Sequence, residues 1–384
     1  MRMRMPLHVG LDMVRHQVKN ALAGNQRYPF VLMLEPLYTC NLACIGCTPE
    51  RHTGKLSDRL DPETCLRAVD QCGAPTVSIC GGEPTVYPEL AELVAGIIER
   101  KRHIYLCTNA LLLDKRVFDV IEPHKRLTIN VHLDGMRDTH DYVTDREGVF
   151  DKAVAMMREA KRRGYHVITN TTVYKETDID EVESLFDFLT HDVNVDGMLI
   201  SPGYEYERVE RDIFLTRADI ETKFTKVVRW ADRFRLASTP LFLEFAAGLR
   251  DYACSPWSTV TFTPNGWKGP CYLIGKTHTF DWDEFWTRTE WSYWESRRDA
   301  LCQNCKMHSG FEASVVKELP KSPGDLLRML AWTVGLSGMQ KKPKTWPTRS
   351  AEPTTRPRAK RRHERGSTRS LPIVDIGRGP EGAR

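Results

Sequence analysis

From residue 30 onward, short runs of apolar residues alternate with longer segments in which apolar positions recur every three or four residues. The short runs predict strands at 30–36, 76–79, 104–107, 127–132, 166–173 and 198–201. The longer segments predict helices at 61–71, 89–100, 115–121, 149–163 and 178–189. Strand and helix repeating at this period argue for an α/β fold, a parallel sheet with helices outside it. Six such units suit a partial TIM-type (β/α)6 barrel, expected over 28–210. Ahead of it, Leu7, Leu11, Val14, Val18 and Leu22 are spaced as one face of an amphipathic helix within 1–27. That face is expected to cover the body of the protein, with lying on a membrane surface as the lesser use.

Beyond about residue 205 the alternation fades. Residues 211–338 are rich in Trp and Phe and are expected to form a C-terminal extension packed across the barrel mouth. The net charge of +4 over 384 residues is unevenly placed. Residues 341–384 hold 13 Lys and Arg against 4 Asp and Glu, a net of +9, so the rest of the chain carries +4 less +9, or −5. A basic tail of this composition, 339–384, is expected to be disordered and solvated. Contact with anionic lipid is a secondary reading, and nucleic acid is not the expected partner.

Eleven cysteines in a chain without a signal-peptide pattern read as reduced thiols or metal ligands, which implies a cytoplasmic setting, with peripheral membrane contact as a further expectation. Three of them, Cys40, Cys44 and Cys47, follow the first predicted strand in a C-x3-C-x2-C spacing. Three thiolates can hold three corners of a [4Fe-4S] cubane and leave the fourth iron open to an outside ligand. A structural zinc loop fits this spacing poorly, since zinc sites take two paired clips and four ligands. In parallel sheets and barrels, sites gather at the carboxyl ends of the strands. There the second strand runs into Cys80-Gly81-Gly82-Glu83-Pro84, where glycines would let the backbone approach a ligand closely. The later strand ends offer Cys107 and Asn109, His132 and Asp134, Asn170, and Ser201.

The cysteine spacing, followed one strand and helix later by GGEP, closely resembles the radical S-adenosylmethionine (SAM) superfamily. The resemblance implies that Cys40, Cys44 and Cys47 hold a [4Fe-4S] cluster and that SAM chelates its open iron. It also implies that Gly81, Gly82 and Glu83 receive the SAM amino group, with Asn109, His132, Asp134, Asn170 and Ser201 as weaker candidates for the rest. Reductive cleavage of SAM to a 5'-deoxyadenosyl radical, fed by a flavodoxin- or ferredoxin-type electron donor, would follow. Phrases such as Tyr105-Leu-Cys-Thr-Asn-Ala110, Ser201-Pro-Gly-Tyr-Glu-Tyr-Glu-Arg208 and Gly266-Trp-Lys-Gly-Pro-Cys-Tyr-Leu273 look, more narrowly, like the HpnH-like adenosyl-hopene transferases of hopanoid biosynthesis. In that family the radical adds to the alkene of diploptene, a triterpene, and Cys107 matches the thiol that quenches the product radical.

Thr48 to Arg51, and Ser309 and Phe311, depart from that family's pattern and keep open a paralogue acting on a specialised metabolite or a nucleoside-pathway substrate. Trp257, Phe262, Trp267, Phe242 and Phe245 could line an apolar substrate pocket or be ordinary core. Cys254, Cys271, Cys302 and Cys305 could hold an auxiliary cluster or a zinc ion, or stay as reduced structural thiols. An iron-sulfur sensor without catalysis is the contending class, and GGEP after the cluster loop argues against it.

Overall fold

The structure, a computed structural model, describes residues 6–48, 50–205, 209 and 212–336. The predicted tail lies outside these residues. Six strands, β1 (Val31–Leu34), β2 (Thr76–Ile79), β3 (His103–Thr108), β4 (Leu127–His132), β5 (His166–Val173) and β6 (Gly197–Pro202), pair in chain order, all parallel. Helix α1 (Leu7–Leu22) precedes them, and α2 (Glu50–Thr53), α3 (Pro62–Cys72), α4 (Leu90–Glu99), α5 (Leu113–Arg116), α6 (Arg137–Val143), α7 (Val149–Arg162) and α8 (Ile179–Phe188) connect them. Parallel strands need such crossovers, and the result is the partial barrel that the pattern predicts. Helix α3 shows how local sequence sets the bounds. Asp61 accepts a hydrogen bond from the Thr64 amide at 2.8 Å, Pro62 occupies the first turn, and Gly73 ends the helix in the left-handed region.

Alternation along the strands separates two faces. On β5, Val167, Thr169, Thr171 and Val173 are closed off by the helices, whereas His166, Asn170 and Thr172 are half-buried on the opposite, inner face. Helix α7 supplies part of the outer layer through Phe150, Ala153, Val154 and Met157.

Three findings differ from the expectations. The extension joins the barrel's own sheet: β7 (Thr259–Thr263) pairs parallel with β1, and β8 (Gly266–Pro270) and β9 (Gly275–Thr279) continue it antiparallel. Its helices are α9 (Arg217–Val227), α10 (Pro240–Ala246), α11 (Trp282–Arg288), α12 (Trp291–Glu295), α13 (His308–Glu318) and α14 (Pro323–Thr333). Secondly, the stripe on α1 faces outward. Leu11, Val14, Val18 and Leu22 are 51–85% exposed, and Val9, Met13, His16 and Asn20 turn inward. Hydrogen bonds decide this, because His16 Nε2 bonds the Pro29 carbonyl at 2.9 Å and Asn20 is held by His16 and Asn25. Thirdly, the extension's aromatics are core. Trp257, Phe262, Trp267, Phe242 and Phe245 are all at most 3% exposed, with Phe245 stacked on Phe311 and Trp267 on Phe285. Among the described residues no helix is long and apolar enough to cross a membrane.

Candidate active site

The carboxyl end of β1 opens into the loop that carries Cys40, Cys44 and Cys47. The neighbouring GGEP loop fixes its course. Amide donors of Cys80, Gly82 and Glu83 reach the carbonyls of Leu34, Leu37 and Thr39, each at 2.9 Å. A side chain on Gly82 would run into the Thr39 carbonyl, and one on Gly81, whose φ is +106°, would come within 2.5 Å of the Leu37 carbonyl. The two glycines therefore admit the backbone of the cysteine-bearing loop. Gly46 serves the loop's other side, where Tyr174 stands in the place of a side chain.

Glu83 is engaged between the same loops. Its carboxylate is buried and accepts from the Thr85 amide and hydroxyl at 3.0 and 2.6 Å, the Thr108 hydroxyl at 2.6 Å and the Asn109 amide at 2.9 Å. These bonds lock GGEP to the end of β3, and the carboxylate is committed within the chain. Burial pushes its pKa above the ordinary carboxylate range even against the four donors. Asn109 in turn donates from Nδ2 to Asn41 Oδ1 at 2.7 Å, inside the cysteine loop. Asn41 was not singled out in the sequence, although its place between Cys40 and Cys44 was the available signal.

The three thiols are half-buried, and Cys47 donates its amide to the Cys44 carbonyl at 3.1 Å. Burial, then the negative charge of Glu83, pushes the Cys40 thiol up to about 12. Burial, then the charges of Cys47, Cys40 and Asp134, raises Cys44 further still. The thiols thus stand close enough to feel one another, and Cys40 and Cys44 lie deep enough to retain protons until a metal displaces them.

His132 and Asp134 are brought together at the end of β4, with Nε2 and Oδ2 2.8 Å apart. Burial disfavours the imidazolium, but Asp134 outweighs it and the His132 pKa lies above its ordinary value. The other Asp134 oxygen accepts from the Thr172 amide at 2.7 Å, so this carboxylate orients His132. Asn170 lies opposite His132 in the register, and its Oδ1 is buried with no hydrogen-bond partner. Among the weaker candidates Asp134 and Ser201 are 1% and 3% exposed, so both side chains are covered.

Cys107 sits one layer deeper on the inner face, beside Asn130 on β4. Its Sγ is 3.3 Å from Ser78 Oγ and 3.5 Å from Asn130 Nδ2, while Asn130 Oδ1 is buried and unpartnered. Burial raises the Cys107 pKa, and the two hydrogen bonds oppose it without cancelling it, so the sulfur is a thiol at neutral pH. Cys80, Glu35, Arg51 and Lys268 complete the interior. Arg51 pairs with Glu35 at 2.8 Å, and Lys268, projecting from β8, bonds the Tyr272 carbonyl at 2.9 Å.

The residues fit a [4Fe-4S] cluster with SAM. Among the described residues no three His, Cys, Asp or Glu side chains are grouped to hold one metal ion. Three thiols on one loop suit three corners of a cubane, whereas zinc sites take two paired clips and four ligands. The orphaned acceptors on Asn130 and Asn170 face the same interior and match hydroxyl or ammonium donors on a nucleoside-like ligand.

Residues 34–189 match the family described as the radical SAM superfamily, and residues 198–329 match a domain of unknown function, DUF3463. An Fe-coproporphyrin III synthase from Methanosarcina barkeri is 28% identical over 153 residues, covering 39% of this chain and 38% of that protein. A GTP 3',8-cyclase from Thermodesulfovibrio yellowstonii is 26% identical over 262 residues, covering 62% of this chain and 80% of that one. The chain thus spans well under half the length of the first relative. Among solved structures, Streptococcus suis SuiB bound to S-adenosylmethionine superposes with a TM-score of 0.60 at 19% identity, over 80% of this chain and 78% of SuiB.

Proposed function

We propose that this chain, whose residues 34–189 match the radical SAM superfamily, is an enzyme in which a carbon radical generated from SAM is passed to a bound acceptor and ended by the thiol of Cys107. Cys40, Cys44 and Cys47 would hold the cluster, and the inner face around His132, Asn130 and Asn170 would hold SAM. With a low-potential electron, that pair supplies a 5'-deoxyadenosyl radical. The chain's residues then act as follows. The loop clasped by Gly81, Gly82 and Glu83 fixes the three thiolates against the end of β3. Asp134 raises the His132 pKa and orients its ring. Cys107 gives up a hydrogen atom: its S–H bond breaks, a C–H bond forms on the acceptor radical, and one electron and one proton from the reductant and solvent restore the thiol.

The observation that carries this reading is the Cys107 thiol itself, protonated and held by Ser78 and Asn130 on the barrel's inner face. The acceptor we propose is an alkene of triterpene type, as the adenosyl-hopene transferase resemblance implies, giving an adenosylated hydrocarbon. The outward apolar stripe on α1 would bring the enzyme to the membrane that holds such a substrate.

A second reading rests on Arg51 and Lys268, two basic side chains beside Glu35 at the interior edge. They favour an anionic, polar acceptor, in keeping with the names of the coproporphyrin and GTP relatives. Mass spectrometry of an anaerobic reaction with SAM, a strong reductant and diploptene separates the two. An adduct carrying an adenosyl group supports the first, and free 5'-deoxyadenosine with untouched diploptene supports the second.

A further inference from the structure

Cys254, Cys271, Cys302 and Cys305 come from three separate parts of the extension, yet all four line one cavity of about 40 Å3. Cys254 precedes β7, Cys271 follows β8, and Cys302 and Cys305 share a turn closed by the Cys305 amide on the Cys302 carbonyl at 3.2 Å. Around them Tyr204, Leu273, Ile274 and Met307 form a small hydrophobic cluster of their own. No disulfide joins the four.

Protein interiors are filled to crystal-like density, so four reduced thiols that merely pack would be expected to fill the space between them. Here they surround it. The room is kept deliberately at Gly310, where a side chain would come within 2.9 Å of Cys254 Sγ. One cation faces the same space. Arg297 lines the cavity, donates from Nη2 to the Cys305 carbonyl at 3.3 Å, and leaves its Nε buried without a partner. Its charge acts on the Cys254, Cys302 and Cys305 sulfurs.

Zinc would need its sulfurs about 2.3 Å from one centre. A cubane is larger, takes four thiolates spread around it, and remains anionic once ligated, which Arg297 would offset.

We propose that Cys254, Cys271, Cys302 and Cys305 ligate a second [4Fe-4S] cluster, fully protein-bound and therefore closed to SAM. Four cysteines leave no iron open, so this site carries electrons or braces the extension and does not cleave SAM. The proposal is independent of the acceptor and of the first cluster.

The test uses the full chain with Cys40, Cys44 and Cys47 all changed to Ala, reconstituted anaerobically with ferrous iron and sulfide. About four irons and four sulfides per chain should remain, against about eight of each for the unaltered chain. On reduction, the electron paramagnetic resonance signal of this variant should not move when SAM is added. Adding Cys254→Ala and Cys302→Ala should abolish both the iron and the signal. A triple variant that folds by circular dichroism but binds no iron, one zinc ion without sulfide, or a cluster whose signal shifts with SAM would overturn the proposal. Should the five-fold variant fail to fold, the triple variant alone decides.

Discussion

The Cys107 thiol and the Ser78 hydroxyl lie 3.3 Å apart across the neighbouring parallel strands β3 and β2. Donor and holder are thus built into one sheet layer, and substitutions there separate chemistry from architecture. Cys107→Ala should still consume SAM, but the quenched product should fall by about tenfold or more, which corresponds to at least 1.36 kcal/mol of barrier. Cys107→Ser keeps a hydrogen-bonding group yet offers an O–H bond too strong to give up its hydrogen, and should be no better. Cys80→Ala, at the neighbouring interior thiol, should leave quenching in place. Chromatographic yields of 5'-deoxyadenosine and quenched product check this; full product from Cys107→Ala would remove the thiol from the mechanism.

The close approach of Gly82 to Thr39 makes a second prediction. Gly82→Ala should push the cysteine loop off the GGEP loop, costing about 1–3 kcal/mol locally, and lower the iron retained after anaerobic gel filtration. Gly324→Ala, where nothing stands within 4 Å, is the control and should retain wild-type iron.

The six parallel strands and the cysteine loop were legible because each strand is a compact apolar run ended by turn residues, a local signal. Thr76–Ile79, Leu127–His132 and His166–Val173 begin and end where expected. The expected helix at 115–121 shortens to Leu113–Arg116, since Val117, Phe118 and Ile121 repeat helically but are buried in a bend. The strands of the extension were not legible. Thr259–Thr263 is buried throughout, Gly266–Pro270 holds two glycines and a proline, and Gly275–Thr279 is mostly exposed, so none shows alternation. Nor could the sequence show that Gly81, Gly82 and Glu83 serve the loop's backbone, because that depends on contacts between residues about 40 apart.

His140 gives a pH dependence. It is fully buried, its Nδ1 accepts the Asp134 amide at 3.3 Å, and burial, followed by the nearby His132 charge, lowers its pKa to about 4. The unfolded chain binds this proton near 6.5, so the native state is penalised as pH falls from 6.5 toward 4 and is unaffected above. The loss should approach about 3 kcal/mol at pH 4, at 1.36 kcal/mol per unit. Thermal melts of wild type and His140→Gln across this range check it; parallel slopes would exclude His140 as the source.

Lys306 is completely buried, with Nζ bonded to the Phe245 and Ala246 carbonyls at 2.7 and 3.4 Å and paired with Glu221 at 2.8 Å. It caps the end of α10 and anchors the turn bearing Cys302 and Cys305. Lys306→Met strips those carbonyls of their donor and should cost about 1–3 kcal/mol in urea unfolding. An unchanged midpoint would show that the carbonyls find other partners.

Because Leu11, Val14 and Val18 face outward, changing all three to Ser should shift stability by no more than about 0.5 kcal/mol per site. If they bring the enzyme to membrane, the same variant should lose co-sedimentation with anionic vesicles; a large fall in melting temperature would instead mean that the stripe is covered.

The parallel pairing of β1 with β7 joins residues 31–34 to residues 259–262. During synthesis the strand that leads into the cysteine loop therefore presents an unprotected hydrogen-bonding edge until more than two hundred further residues have been made. Exposed edges of this kind template aggregation, and such distant pairings form late. Metal loading of the cysteine loop, as proposed, and closure of the sheet would thus fall under one timing constraint. A chain truncated before β7 would retain every residue of the cysteine loop while lacking the neighbour that shields its strand.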